Sequence, residues 1–295
     1  MSDPEVASRD SSVVKGRPSG KGFSRWGGDR GFLAALILIG SFYVIMLLAM
    51  LAADLAWTSP GEILKTLSSD EIQYSIRLSL MSCTVAAILS VWVAVPIGYL
   101  MSRFNFFGKG FIDAILDIPI VLPPLVVGLS LLILFSTAAG DWVEDLFESV
   151  FGTRITYQIP SVVLAQFMVA CAFAVRTMRT TFDQISVRQE DVALTLGCSR
   201  FQAFWKVTLP EARNGLITAL TLAWARSLGE FGPILVFSGA TRMKTEVLPT
   251  TVHLELTNAN LEGAVAVSIL MVVFAVGVLF AIRHFGSDRH LGRVI

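Results

Sequence analysis

The chain has 295 residues, of which 54% are hydrophobic and only 16% are charged, with no net charge. Soluble domains average about 25% charged residues, so this composition excludes an ordinary soluble protein. The apolar residues cluster in nearly charge-free blocks of about 20 residues, which is the length needed to cross a hydrocarbon core of about 30 Å. The composition therefore predicts a one-domain, all-α integral membrane protein, and we expect no nucleic acid among its partners.

The chain begins with a polar tail and continues as six predicted membrane helices. Residues 1–30 are rich in Ser, Gly, Pro and charge, a composition typical of disorder. The apolar run that follows is too long for the core of a secretory signal, so we interpret it as a retained first membrane helix. The six predicted spans are 31–53, 77–101, 115–136, 160–179, 215–238 and 262–283. We expect them to form one domain over 31–285, with its core at about 70–285, and residues 286–295 to form a second tail.

Lysine and arginine are distributed unevenly between the connecting segments. They are concentrated in the segments that fall on the same side as both termini, and are sparse on the opposite side. Basic residues near membrane helices remain in the cytoplasm. The sequence therefore predicts that both termini, and the polar segment between the fourth and fifth spans, are cytoplasmic.

Two of the predicted spans contain residues that are unusual in a membrane helix. Pro123 and Pro124 interrupt the third span, which must be kinked or partly unwound there. Arg226 and Glu230 lie one helical turn apart in the fifth span, where charged residues usually face a bundle interior or a watery cavity. Both features allow two interpretations, a structural one (a packing kink, a salt bridge that locks helices) and a functional one (a gate or anion pathway).

The sequence contains no recognisable catalytic or cofactor-binding pattern. It lacks HExxH, GxSxG and a phosphate-binding loop with the GxxxxGK[ST] spacing. The cysteines Cys83, Cys171 and Cys198 are isolated from one another, which argues against a metal site or a disulfide framework. We therefore expect a non-enzymatic chain without a cofactor or metal of its own.

The polar segment between the fourth and fifth spans is predicted to be a helical hairpin over residues 182–210. Its first helix is expected to run from Phe182 to Leu196 and to end at Gly197, which adopts the left-handed conformation cheaply. Ser199 and Gln202 have the spacing of a capping box that opens the second helix. A linker packed under the membrane helices is the simpler interpretation of this segment.

One part of the 182–210 hairpin instead favours a surface that receives a partner. Glu190 and Asp191 precede the small residue Ala193 and a glycine-marked turn. A small side chain permits close approach, and carboxylates can pair with basic residues of a partner. The aromatic residues of the second helix do not distinguish the two interpretations.

The segment QEDVALTLGCSRFQAFWKVTLP (189–210) resembles the cytoplasmic "EAA" signature of ABC importer permeases. Asp191 stands at the Glu position, and the residues at the other signature positions are Val192, Ala193, Gly197, Val207, Leu209 and Pro210. Asp for Glu and Val for Ala are departures that leave open which acid contacts the partner. The runs VPIGYLMSRF, IPIVLPPLVVGL and WARSLGEFGPILVFSG look like the molybdate/sulfate-type branch of that family, and the resemblance covers about residues 70–285.

This resemblance implies a MetI-like ABC permease fold in a prokaryotic plasma membrane. It implies an ABC ATPase that holds ATP and Mg, a second permease copy, an extracytoplasmic anion-binding protein and membrane lipid as partners. The residues implied to couple to the ATPase are Glu190, Asp191, Val192, Ala193, Gly197, Ser199, Phe204, Leu209 and Pro210. Those assigned to the translocation pathway are Pro123, Pro124, Arg226 and Glu230.

The expected function is import of a tetrahedral oxyanion, driven by ATP hydrolysis in another chain. Molybdate is the first candidate, and sulfate, thiosulfate and tungstate are alternatives within the same class. A secondary transporter that couples through Arg226 and Glu230 belongs to a different class, but it leaves the 182–210 hairpin unexplained. A non-transporting scaffold that recruits a cytoplasmic protein is a third possibility.

Overall fold

The computed structural model describes residues 30–287, and all regular structure in that range is helical, as predicted. Apart from their few residues nearest the helices, the predicted tails at 1–30 and 286–295 lie outside the described range. The chain divides into two units, one up to Ala52 and the other from Ala53 onward. The apolar helix α1 (Arg30–Trp57) accounts for the described part of the first unit and confirms the first predicted span.

The remaining described helices belong to the second unit. They are α2 (Pro60–Leu67), α3 (Asp70–Arg103), α4 (Lys109–Val121), α5 (Pro124–Phe135), α6 (Ala138–Phe151), α7 (Ile159–Gln184), α8 (Val187–Thr195), α9 (Arg200–Ala203), α10 (Leu209–Glu211), α11 (Arg213–Leu228), α12 (Gly232–Phe237), α13 (Leu248–Thr257) and α14 (Leu261–Ser287). One turn of π-helix, Phe204–Thr208, joins α9 to α10.

Three helices, α3, α7 and α11, form the central packing unit. Their contact surfaces are lined by fully buried alanines, including Ala87, Ala174 and Ala223. The approach is tight, since a Cβ added to Gly98 of α3 would lie 2.9 Å from the backbone nitrogen of Arg179 in α7. Small side chains let membrane helices approach closely and gain van der Waals contact along their length. The three helices therefore form one rigid core beside the 182–210 hairpin.

The predicted kink in the third span is confirmed as a sharp break. Helices α4 and α5 meet at an angle of 111°, and Leu122 and Pro123 between them are extended. The physical cause is local: a residue that precedes a proline avoids the helical conformation, and both Leu122 and Pro123 precede one. The pair can serve as one bent span.

The predicted fifth span, 215–238, is not a continuous helix, and that prediction was wrong. Helix α11 ends at Leu228, and the short helix α12 begins only at Gly232. Gly229 favours the break and Pro233, which has no backbone N–H, fits the first turn of the next helix. Within residues 30–287, only α1, α3, α7 and α14 are each long and apolar enough to cross a membrane, and the bent pair of α4 and α5 passes the same test when its two helices are taken together.

Candidate functional site

The 182–210 hairpin consists of three helical segments instead of the predicted two. They are the end of α7, then α8, and then the continuous stretch from α9 to α10. Helix α7 ends at Gln184, and Ile185 and Ser186 are extended before α8 begins. The single helix predicted from Phe182 to Leu196 is therefore wrong. Ser186 occupies the N-cap of α8, and serine is more favourable at an N-cap than inside a helix. This break lets α8 leave the direction of α7.

The turn of the 182–210 hairpin has the predicted geometry. Gly197 has φ +91°, in the left-handed region. The Ser199 hydroxyl accepts a hydrogen bond from the Gln202 backbone at 3.2 Å, and the Gln202 side-chain oxygen accepts one from the Ser199 backbone at 2.9 Å. The predicted capping box is thus confirmed, and it fixes where α9 starts.

The first acid of the hairpin, Glu190, is turned into the protein. The residue is only 8% exposed. Its carboxylate accepts a hydrogen bond from the Tyr99 hydroxyl at 2.9 Å and one from Arg103 Nε at 2.8 Å. Charged side chains are rarely buried unless they are paired in this way. Glu190 therefore connects α8 to the end of α3 and is satisfied within the chain.

The second acid, Asp191, is exposed on the 182–210 hairpin, in a segment that also exposes several large apolar side chains. Val192 is 58% exposed, Leu196 80%, Phe201 72% and Trp205 53%, and Asp191 is exposed beside them. Large apolar side chains grouped at a surface are typical of a site of protein or membrane contact. A negative charge at the edge of such a face is suited to pair with a basic residue of a partner.

The other residues assigned to coupling lie on both sides of the hairpin. Ala193 is 7% exposed and packs inward. Phe204 is half-buried, and its ring centroid lies 4.8 Å from that of Tyr99. Leu209 is half-buried, whereas Gly197, Ser199 and Pro210 are exposed. The set predicted from the sequence thus separates into an outward group around Asp191 and an inward group around Glu190.

The Pro123–Pro124 break and the break between α11 and α12 pack directly on each other. A Cβ added to Gly128 of α5 would lie 2.6 Å from the Cα of Pro233 in α12. One added to Gly232 would lie 2.9 Å from the backbone nitrogen of Leu125. Pro124, which starts α5, also borders Gly232. The structure therefore brings the Pro123–Pro124 break close to the chain segment that carries Glu230.

Arg226 and Glu230 contact each other as their spacing predicts. Arg226 Nη1 lies 2.6 Å from Glu230 Oε2, and the Arg226 guanidinium also lies 5.7 Å from the centroid of the Phe173 ring. The Glu230 side chain is 1% exposed, whereas that of Arg226 is 28% exposed. Because α11 ends at Leu228, this ion pair bridges the helix end and the break. Arg226 is the more exposed member of the pair.

Comparison with known proteins agrees with this arrangement. Residues 94–289 match the family described as binding-protein-dependent transport system inner membrane component. The chain belongs to this family. The apolar helices α1, α3, α7 and α14 agree with a family of inner-membrane proteins.

Relatives within this permease family are similar over most of their length. The sulfate transport system permease protein CysT of Escherichia coli (strain K12) is 28% identical over 257 residues, 86% of this chain and 91% of that protein. A probable molybdenum ABC transporter permease protein of Haloferax volcanii is 31% identical over 265 residues, 89% of this chain and 91% of that protein. A crystal structure of a bacterial ABC transporter involved in alginate import contains a chain with a TM-score of 0.69 at 16% identity. The match covers 90% of this permease and 98% of that chain and shows that the two share the ABC permease fold.

Several polar side chains of the permease were not singled out from its sequence. Gln166 of α7 is 1% exposed, and its amide nitrogen donates to the Ser227 carbonyl at 3.3 Å and contacts Cys83 Sγ at 3.5 Å. A lone amide in the otherwise apolar run of α7 was the available signal. Gln166 thus ties α3, α7 and α11 together at their core.

Paired charges connecting α4 to α7 were also missed. Arg176 Nη1 lies 3.1 Å from both carboxylate oxygens of Asp117, and Arg179 contacts Asp113. The two aspartates are four residues apart on α4, and the two arginines are three apart on α7, so each pair lies on one helix face. That spacing was visible in the sequence, but the helix that each pair would face was not.

Proposed function

We propose that this chain is the transmembrane subunit of an ATP-binding-cassette importer for a tetrahedral oxyanion. The observation that carries the proposal is the outward face of the 182–210 hairpin, where Asp191, Val192 and Leu196 are exposed beside the Gly197 turn. An apolar face with one acid at its edge is suited to dock in a groove of an ATPase. Membership of the permease family supports the transport role.

The proposed cargo is a class of anion. Relatives named for sulfate and for molybdenum transport are similarly related to this chain, and they support sulfate and molybdate equally. Both anions are divalent and tetrahedral, so one pathway chemistry serves either. The partially exposed guanidinium of Arg226 supports attraction of such an anion, and its contact with Glu230 limits how tightly the anion is held.

The proposed assembly divides the work between several chains. ATP and Mg bind to a separate ATPase subunit, and an extracytoplasmic binding protein delivers the anion to a pair of permease copies. A crystal structure of a bacterial alginate ABC transporter in complex with a pentasaccharide-bound periplasmic protein supports a binding protein as one partner. The exposed apolar side chains along α1 support contact with lipid. The distribution of basic residues supports a cytoplasmic location for both termini and the 182–210 hairpin.

Charge reversal on the hairpin tests the docking role. In the variant Asp191→Lys we expect the co-purifying ATPase to be lost from detergent-solubilised membranes, because the acid that meets the partner becomes a like charge. Asp145→Lys, which reverses an exposed acid on α6, is the matched control and is expected to retain the ATPase.

Two measurements read out the result. Mass spectrometry of the purified complex identifies the partner, and uptake of radiolabelled sulfate and molybdate into cells reports transport. The proposal fails if Asp191→Lys retains both a bound ATPase and wild-type uptake of either anion.

A further inference from the structure

The last residue of α3, Arg103, holds three separate parts of the chain at once. Its Nε donates to Glu190 of α8 at 2.8 Å, Nη1 donates to the Phe182 carbonyl at 2.8 Å, and Nη2 donates to the Ile185 carbonyl at 3.0 Å. The side chain is 7% exposed. A guanidinium presents its donors in a rigid plane, so a single side chain can fix all three acceptors in one geometry.

The acceptors of Arg103 lie on both sides of the break that separates α7 from α8. Phe182 belongs to the last turns of α7, Ile185 is extended, and Glu190 lies in the first turn of α8. The direction of α8 relative to α7 is set at this break, where Ile185 and Ser186 are extended and the Ile185 N–H donates to the Phe182 carbonyl at 3.2 Å. Arg103 adds side-chain hydrogen bonds to residues on both sides of the break.

A second residue of α3 completes this contact. Tyr99 lies one turn before Arg103 and donates to the other oxygen of Glu190 at 2.9 Å. Its ring centroid also lies 5.6 Å from that of Phe182 and 4.8 Å from that of Phe204, so it contacts both arms of the hairpin. We name Tyr99, Arg103 and Glu190 the α3–α8 clamp.

We propose that Arg103 is a positioning residue that makes α8 move as one body with α3 and α7. This inference rests on the proposed function, in which an ATPase displaces α8 through Asp191 and its exposed neighbours. Glu190 is adjacent to the exposed Asp191 but is itself buried in the α3–α8 clamp. A displacement of the outward face by the ATPase is therefore transmitted through the buried ion pair to α3 and α7. These two helices pack along their length and approach closely at Gly98.

Arg103→Lys tests the positioning role, because lysine keeps the charge but cannot reach three acceptors in one plane. The permease is purified with its ATPase, reconstituted with the binding protein, and assayed for anion uptake and ATP hydrolysis together. We expect the ATPase to remain bound and the uptake per ATP hydrolysed to fall several-fold, because α8 then moves without carrying α3 and α7. Arg213→Lys, the same exchange at an exposed arginine that begins α11, is the control and should keep the wild-type ratio.

A milder variant keeps the test possible if Arg103→Lys does not fold. Tyr99→Phe removes one hydrogen bond from the α3–α8 clamp and leaves the aromatic contacts in place, so we expect a smaller fall in the same ratio. The double variant Arg103→Lys with Glu190→Gln should fall no further than Arg103→Lys alone, since both changes break the same contact.

The outcomes separate this inference from the proposed function. A wild-type uptake ratio in Arg103→Lys, or in Tyr99→Phe where Arg103→Lys does not fold, overturns the inference. Loss of the bound ATPase in Arg103→Lys overturns it as well, since Arg103 then only shapes the docking face. Failure of the proposed function is seen elsewhere, in Asp191→Lys with its ATPase and uptake intact.

Discussion

At the scale of single residues, Glu144 shows how one carboxylate fastens a connecting segment. It lies on α6, is 3% exposed, and accepts hydrogen bonds from both the backbone N–H, at 2.9 Å, and the hydroxyl of Thr156. Arg154 Nε lies 2.7 Å from its other oxygen. Burial opposes ionisation of Glu144, but the Thr156 hydrogen bonds and Arg154 outweigh it and hold the pKa of the carboxyl below its ordinary value. Glu144 therefore secures the segment between α6 and α7.

Glu144→Gln should weaken this attachment. We expect thermal unfolding in detergent at pH 7 to show that the free energy of unfolding falls by about 1–3 kcal/mol. The glutamine amide cannot accept all the hydrogen bonds that Thr156 and Arg154 donate to the carboxylate. The folded-state pKa lies below the unfolded one, so the carboxylate contributes fully above the unfolded value of about 4.5 and less as the pH falls through the folded value. The difference in the free energy of unfolding between wild type and Glu144→Gln should therefore become smaller below about pH 4.5.

The exposed neighbour Glu148 gives the matched control for this measurement. Its carboxylate lies 3.9 Å from Arg154 Nε and its side chain is 52% exposed, so Glu148→Gln should unfold within about 0.5 kcal/mol of wild type. If the difference in the free energy of unfolding between Glu144→Gln and wild type stays constant with pH, the charge of the Glu144 carboxylate is not the source of the stabilisation.

At the scale of helices, the two proline-marked breaks depend on each other. Helix α5 meets α12 with backbone against backbone, and this is possible only because Gly128 and Gly232 have no side chain there. Elsewhere among the helices, small residues serve the same purpose in the α3–α7–α11 core. Close packing of broken segments also buries backbone groups away from lipid, which helical breaks within a membrane require.

Gly128→Ala should disturb the junction of α5 and α12. The new methyl would lie 2.6 Å from the Cα of Pro233, and the neighbour that must shift is backbone. We expect destabilisation of about 1–3 kcal/mol in thermal unfolding, together with reduced uptake. Gly110→Ala on α4 is the control, since nothing lies within 4 Å of its added Cβ. Equal stability of the two variants would contradict the close contact.

Helix-scale prediction from the sequence succeeded where the cause is local. Gly197, the Ser199 capping box and the Pro123–Pro124 break each follow from a few adjacent residues. The break after Leu228 was not predicted, although Gly229 and Pro233 beside it are local signals for a break. The partners of Glu190 were missed for another reason, since Tyr99 and Arg103 are 91 and 87 residues away in the chain.

At the scale of the whole molecule, Arg226 tests whether the ion pair lies on the transport route. Arg226→Ala should abolish uptake of radiolabelled sulfate and molybdate while the ATPase still co-purifies, because the cation that attracts the anion is gone and the hairpin is unchanged. Arg226→Lys retains the charge and should keep part of the uptake. If Arg226→Ala instead loses the ATPase and unfolds at lower temperature, the Glu230 pair serves packing.

The helical membrane class, the long apolar helices α1, α3, α7 and α14, the turn of the 182–210 hairpin and the Pro123–Pro124 break could all be predicted from the sequence. These depend on hydropathy over about 20 residues or on side chains within one turn. The burial of Glu190, the exposure of the adjacent Asp191 and the contact between the two breaks emerge only in the folded chain. Each of these is set by groups far apart in the chain, and neither periodicity nor spacing records which distant side chain completes a contact.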